Sequence, residues 1–159
     1  MTIAKKMSRA FATAAIAGGA LALATPAAAQ MQVFEDYEPS DAVYEMVTVE
    51  IESGEFETYL ENLKETWVAG NEIAKELGHI EDYAIYGNTN GTGEQFDLLL
   101  VVKYGSTADL APSKERYQEF MARWGEQRQA SSQRTVREVY NNIRELTGQW
   151  HVREIILKD

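Results

Sequence analysis

Residues 95–104 read Gln95-Phe96-Asp97-Leu98-Leu99-Leu100-Val101-Val102-Lys103-Tyr104, the densest apolar run in the centre of the chain. Side chains alternate across a strand, so Phe96, Leu98, Leu100, Val102 and Tyr104 share one face. Asp97, Leu99, Val101 and Lys103 share the other. Apolar residues stand on both faces at the centre of the run, as in a strand covered on both sides. A Gly/Asn/Thr-rich turn, Gly87–Gly93, joins this run to a shorter strand, Asp82–Tyr86. Asn90-Gly91 explains that turn as a hairpin connection. It lacks the Lys-Ser/Thr ending and the following helix of a phosphate loop.

One helical pattern lies on each side of this pair. In the first, Phe56, Leu60, Leu63, Trp67, Gly70, Ala74 and Leu77 recur at spacings of four and three, the mark of an amphipathic helix. Ser53 is its expected cap, Glu55 and Glu57 favour its N-terminus, and Gly78 ends it. Gly70 in the stripe would let the helix approach the sheet closely. The second helix starts at Pro112-Ser113, with Tyr117, Phe120, Met121 and Trp124 as its buried stripe. Residues 125–134 are almost wholly polar, after which Val136, Val139, Tyr140, Ile143 and Leu146 resume the pattern. An unbroken helix from Ser113 to Leu146 would be about 50 Å long, more than a small domain covers. Either it breaks near Gly125–Ser132 or its polar middle projects past the sheet; a break is the expectation.

A strand-like run lies at each end. Residues 42–51 place Val43, Glu45, Val47, Val49 and Ile51 on one face and Tyr44, Met46, Thr48 and Glu50 on the other. Residues 150–157 form the last strand, with Trp150, Val152 and Ile156 opposite His151, Arg153, Ile155 and Leu157; the His151 set is assigned to the uncovered side of the sheet. The order strand, helix, strand, strand, helix, strand is the split βαβ arrangement. It predicts a ferredoxin-like α+β domain over residues 42–159, with a four-stranded antiparallel sheet and two helices on one face. The first and third strands are central. One helical layer leaves the other sheet face open, with Tyr44, Met46, Thr48, Leu99 and Val101 on it, an apolar patch that a monomer seldom exposes.

In strand order and face patterning the chain resembles the dimeric α/β-barrel superfamily, whose ferredoxin-like subunits pack their open faces together. The resemblance implies a homodimer through that face. It also implies a small-molecule site between helices and sheet or in the barrel interior. The superfamily includes cofactor-free monooxygenases, isomerases, decarboxylase-like enzymes, haem-binding members and many small proteins of no assigned activity, so fold alone specifies no reaction.

The N-terminal 29 residues read as a secretory signal peptide. Lys5, Lys6 and Arg9 precede an uncharged Ala/Gly/Leu-rich block, and Ala27-Ala28-Ala29 satisfies the small-x-small rule for cleavage before Gln30. The uncharged block is short and weakly apolar for an uncleaved anchor. The short leader and its Ala-Gln junction are of bacterial type, which makes the expected compartment the periplasm. Residues 30–41, polar and acidic, read as a loosely held N-terminal arm. Cleavage leaves 130 of the 159 residues, one domain with a core of its own. It also removes three basic residues, taking the net charge from −10 to −13. A chain so acidic disfavours nucleic acid and anionic membrane surfaces as partners. It holds no cysteine, so thiol chemistry and thiolate metal sites are excluded.

The candidate catalytic groups are His151, Asp97 and Tyr44. Asp97 stands beside apolar surface that would raise its pKa and suit it to general-base work, or else at the sheet rim in water. Glu45 is open to the same two readings. Tyr44, Met46, Thr48, Leu99, Val101 and His151 are the expected ligand contacts. Two distant histidines and no cysteine give no metal-ligand spacing. No cofactor is expected; haem through His79 is the one case weighed, and nothing around His79 matches a haem motif. The leading expectation is an exported binder of a small, partly apolar molecule. The rivals are a cofactor-independent monooxygenase-like enzyme and a non-catalytic dimeric structural or interaction protein.

Overall fold

The computed structural model describes residues 30–89 and 96–159. The predicted leader and most of the glycine turn lie outside the described residues. The described chain contains six strands and five helices. Four strands form one sheet: β2 (Val43–Ile51), β3 (Asp82–Gly87), β4 (Leu98–Tyr104) and β5 (Arg144–Val152), in the order β3-β4-β2-β5. Every neighbouring pair is antiparallel. The first and third strands of the predicted order are therefore central, and the topology is the ferredoxin-like one.

Strands β2 and β4 pair from Val43↔Tyr104 to Val49↔Leu98. This register puts Val47, Val49, Leu98 and Leu100 on the helix side. There they form the core with Tyr59 and Leu63 of α1 (Phe56–Leu63) and with Tyr140. Gly54, at φ +89°, turns the chain after β2 and moves the helix start past Ser53 to Glu55, which caps without a side-chain bond. Ser53 is thus not the cap. Gly78, at φ +72°, ends α2 (Ala69–Glu76) as expected.

Between α1 and α2 lies a π-helical turn, Lys64–Val68. A second one, Val136–Tyr140, joins α4 (Glu126–Thr135) to the short α5 (Asn141–Ile143). The long second helix does break. Ser113 caps α3 (Lys114–Trp124) by accepting from the Arg116 amide, and Gly125, at φ +81°, separates α3 from α4. Gly70 brings α2 close to α3 rather than to the sheet: a Cβ there would lie 3.8 Å from Phe120 Cζ.

The last third of the chain departs furthest from expectation. The helix stops at Ile143 and β5 begins at Arg144, six residues before the predicted strand. Leu146, assigned to the helix stripe, is a strand residue and is exposed. Thr147-Gly148 sits at a β-bulge, where the register with β2 shifts between Thr48 and Val49. A side chain at Gly148 would collide with the Trp150 indole, which lies across the glycine. Beyond Val152 the chain leaves the sheet, and β6 (Ile155–Leu157) pairs with β1 (Tyr37–Pro39). The second half of the predicted loose arm is therefore one strand of a ribbon, joined also by the Ser40 amide to the Glu154 carbonyl at 2.9 Å.

Candidate functional site

The helix-covered side of the sheet is not fully closed. A cleft of about 500 Å³ opens between α1–α2, the α3–α4 segment and the sheet. Trp67, Phe120 and Trp124 form its aromatic walls, and Glu45, Tyr104, Tyr140 and Arg144 supply its polar groups. Phe120 and Trp124, one helical turn apart on α3, stack with ring centroids 5.7 Å apart. Trp67 meets Tyr83 of β3 edge-to-face at 5.4 Å. Largely apolar walls with a few converging polar groups are the usual composition of a small-molecule site.

Two polar groupings stand at its ends. Glu45, half-buried, accepts from Tyr104 Oη at 3.1 Å and from Gln149 Nε2 at 2.5 Å. Burial, and then the neighbouring Glu45 carboxylate, push the Tyr104 phenol up to about 12. Tyr104 therefore stays a donor across the neutral pH range.

The second grouping joins the two π-helical turns. The Thr66 hydroxyl donates to the Asn62 carbonyl at 2.8 Å and lies 2.6 Å from Tyr140 Oη. A hydroxyl has one proton, so Tyr140 is the donor in the second bond. The Arg144 guanidinium lies 4.3 Å from the centroid of the Tyr140 ring and 5.4 Å from that of Tyr59, and Nη1 donates to Tyr59 Oη at 2.6 Å. Burial raises the pKa of both phenols, and Arg144 opposes the rise at Tyr59. A π-turn swings one residue out of the helical repeat, and such turns gather at functional sites. Here the two turns bring Thr66 and Tyr140 together from opposite helices.

The predicted site residues are distributed differently. Tyr44, Met46, Thr48, Leu99 and Val101 do share the open face of the sheet, through the pairs Met46↔Val101 and Thr48↔Leu99. His151 does not join them. It stands opposite Glu45 on the helix side, whereas Trp150 and Val152 stand opposite Met46 and Tyr44. Of the predicted strand 150–157 only Trp150–Val152 lie in β5, where the alternation holds with its two sides exchanged; Ile155–Leu157 belong to β6. Both sets mix apolar and polar residues, so only the cross-strand register identifies the core side.

Asp97 closes the end of the β2–β4 ladder. Its Oδ2 accepts from the Ile51 amide at 2.6 Å, and its own amide donates to the Val49 carbonyl at 2.8 Å. That is the bonding of a strand-end clamp: Asp97 stands at the end of the strand, half-buried rather than in open water. His79 Nε2 lies 3.1 Å from Glu119 Oε2, joining the end of α2 to α3. Asp97, Tyr44 and His151 occupy a strand end and two opposite faces, so they form no catalytic cluster. Among the described residues no three His, Asp or Glu side chains converge as metal ligands, and no helix is long and apolar enough to cross a membrane.

Sequence reasoning reached Glu45 but missed Tyr104, Tyr140 and Arg144 as site residues. Glu45 on the core side of an otherwise Val/Ile-rich strand was the available signal.

No family model matches the chain, and no curated protein matches it. Solved structures do resemble it. A Shewanella oneidensis protein is 13% identical, with 76% of this chain and 99% of that chain covered and a TM-score of 0.49. A NIPSNAP family protein of unknown function from Agrobacterium tumefaciens is 18% identical, covering 74% and 89%, with a TM-score of 0.43. A protein from Bacteroides fragilis, described as dimeric, of unknown function and ferredoxin-like in fold, is 12% identical, covering 76% and 99%, with a TM-score of 0.39.

Proposed function

We propose that the chain is an exported small-molecule-binding protein. Its site is the cleft between helices and sheet, and two copies associate through their open sheet faces. The observation that carries the reading is the convergence of Glu45, Tyr104 and Arg144 on an aromatic-walled cleft of about 500 Å³. Two of them are held by a partner outside the cleft lining, Gln149 for Glu45 and Tyr59 for Arg144, and Tyr104 is held by Glu45. Such preorganised groups orient a ligand without first being ordered by it. Export rests on the leader read in residues 1–29.

Association rests on the open face. Trp150 is 51% exposed and Tyr86 57% exposed, while Tyr44, Met46 and Leu99 are half-buried beside them. Apolar surface of that kind gains free energy when covered, at about 25 cal/mol per Å² before the costs of association. The rival enzyme reading loses the grouping of Asp97, Tyr44 and His151, which do not meet; Glu45 beside Tyr104 in the cleft is the acid/base pair left to it. Binding is tested by filling the cleft. Protein purified from its own periplasm should release a small molecule on solvent extraction, and Ala74→Phe, which places a ring in the cleft, should release none. Equal amounts from both proteins would place the molecule elsewhere, and none from either would leave the non-catalytic structural reading.

A further inference from the structure

We infer that the cleft takes a planar, largely aromatic molecule bearing a carboxylate, which Arg144 grips. This rests on the reading of the cleft as a small-molecule site and adds the charge and orientation of its occupant.

Three basic side chains among the described residues are half-buried: Lys103, Arg116 and Arg144. Lys103 Nζ lies 2.6 Å from Glu81. Arg116 donates to the Asp109 and Ala111 carbonyls at 2.8 and 2.7 Å, with the Asp109 carboxylate 3.9 Å from Nη1. Arg144 takes part in none of the ion pairs of the described residues. Among the described residues its side chain makes one hydrogen bond, from Nη1 to Tyr59. The chain has 25 acidic residues against 15 basic ones, yet among the described residues none of their carboxylates is paired with Arg144. A half-buried cation without a counter-charge carries part of the cost of leaving water. The Tyr140 and Tyr59 rings offset part of that cost.

Stacking engages the faces of the guanidinium and leaves its edges free. Tyr59 takes a proton of Nη1, so the Nε–Nη2 edge keeps the two parallel N–H groups that hold a carboxylate in bidentate fashion. A single cation, in a cleft that also contains Glu45, suits a monoanion better than a phosphate of nearly two charges. The ladder sets the orientation. Arg144 pairs with Ile51, six residues along β2 from Glu45, roughly 20 Å at about 3.3 Å per residue. The acid group therefore lies at the Arg144 end, and the uncharged body lies among Trp67, Phe120 and Trp124 toward Tyr104.

Calorimetric titration of the mature full-length protein with 2-naphthoate, 2-naphthamide and 2-naphthylmethylammonium tests this. The three share one aromatic body and differ in charge. The naphthoate should bind at least about tenfold more tightly than the amide, as a charge-assisted bidentate pair requires, and the ammonium most weakly. Arg144→Gln should erase the preference for naphthoate and Arg144→Lys should keep part of it. Arg128→Gln, at the exposed cation over the Trp124 ring, should leave it unchanged. Equal affinity for naphthoate and amide overturns the inference and leaves the cleft reading standing. So does a preference that survives Arg144→Gln or is lost in Arg128→Gln. Failure of all three compounds to bind overturns the cleft reading itself. If Arg144→Gln does not fold, the comparison of naphthoate with amide on the unmodified protein still decides.

Discussion

The two faces of the sheet are built on opposite principles from the same strands. On the helix-covered face, polar groups stand inside an apolar layer and each has a defined partner: Glu45 with Tyr104, Thr66 with Tyr140, Arg144 with Tyr59. On the open face the side chains are mostly apolar: Val101 is buried, Tyr44, Met46 and Leu99 are half-buried, and Trp150, resting on Gly148, and Tyr86 are exposed. The difference separates two tasks. On the proposed function, the positioned polar groups of the cleft select a ligand, and the apolar surface of the open face joins a second chain.

Neighbouring leucines on one strand give the largest test of that contrast. Leu100 is 4% exposed in the helix-side core, and Leu99 faces the open side. Leu100→Ala should cost about 2–5 kcal/mol of unfolding free energy, the range for a buried leucine truncated to alanine. Leu99→Ala should cost less than about 1.5 kcal/mol in the isolated chain and should weaken association instead. Urea denaturation at several protein concentrations separates the two. Equal losses at every concentration would mean that the faces do not differ.

The hydroxyl pair between the π-turns gives a smaller effect with a defined asymmetry. Thr66→Val leaves the buried Tyr140 proton without an acceptor and should cost about 1–3 kcal/mol. Tyr140→Phe removes that proton while Thr66 still donates to Asn62, so it should cost roughly 1 kcal/mol less in the same denaturation experiment. The reverse order would show that Tyr140 does not donate to Thr66.

Tyr104 sharpens the contrast through pH. Its pKa is raised from the ordinary tyrosine value of 10.0 to about 12 in the folded chain. The unfolded chain therefore loses this proton first. The stabilisation is complete below pH 10 and is lost as pH rises from about 10 to about 12. After discounting for partial exposure it amounts to on the order of 1–2 kcal/mol. Denaturation across that range should show a shallower alkaline decline for Tyr104→Phe than for the unmodified protein, and identical declines would remove Tyr104 from the account.

The architecture was legible because the alternations of Val43–Ile51 and Leu98–Tyr104 survive folding unchanged, and strand order follows from connection rules. The open-face group Tyr44, Met46, Thr48, Leu99 and Val101 was legible for the same reason. The cleft was not. Glu45 and Tyr104 lie 59 positions apart, and Tyr59 and Arg144 85 apart. Periodicity carries no information about such meetings. Arg144 was further hidden because Ile143 and Leu146 around it continue the helical spacing, although the chain changes to strand between them. The π-turns have no residue signature of their own. His151 went to the wrong face because one bulge and a mixed strand leave alternation unable to say which side is the core.

Native mass spectrometry of the protein purified from its own host tests the division between faces most directly, since one spectrum reports both stoichiometry and retained ligand. The account predicts a dimer with one small molecule per chain. Ala74→Phe should keep the dimer mass and lose the ligand, and Trp150→Glu, with a charge on the open face, should give monomers that keep it. Monomers from the unmodified protein, or a ligand lost with Trp150→Glu and kept with Ala74→Phe, would contradict it.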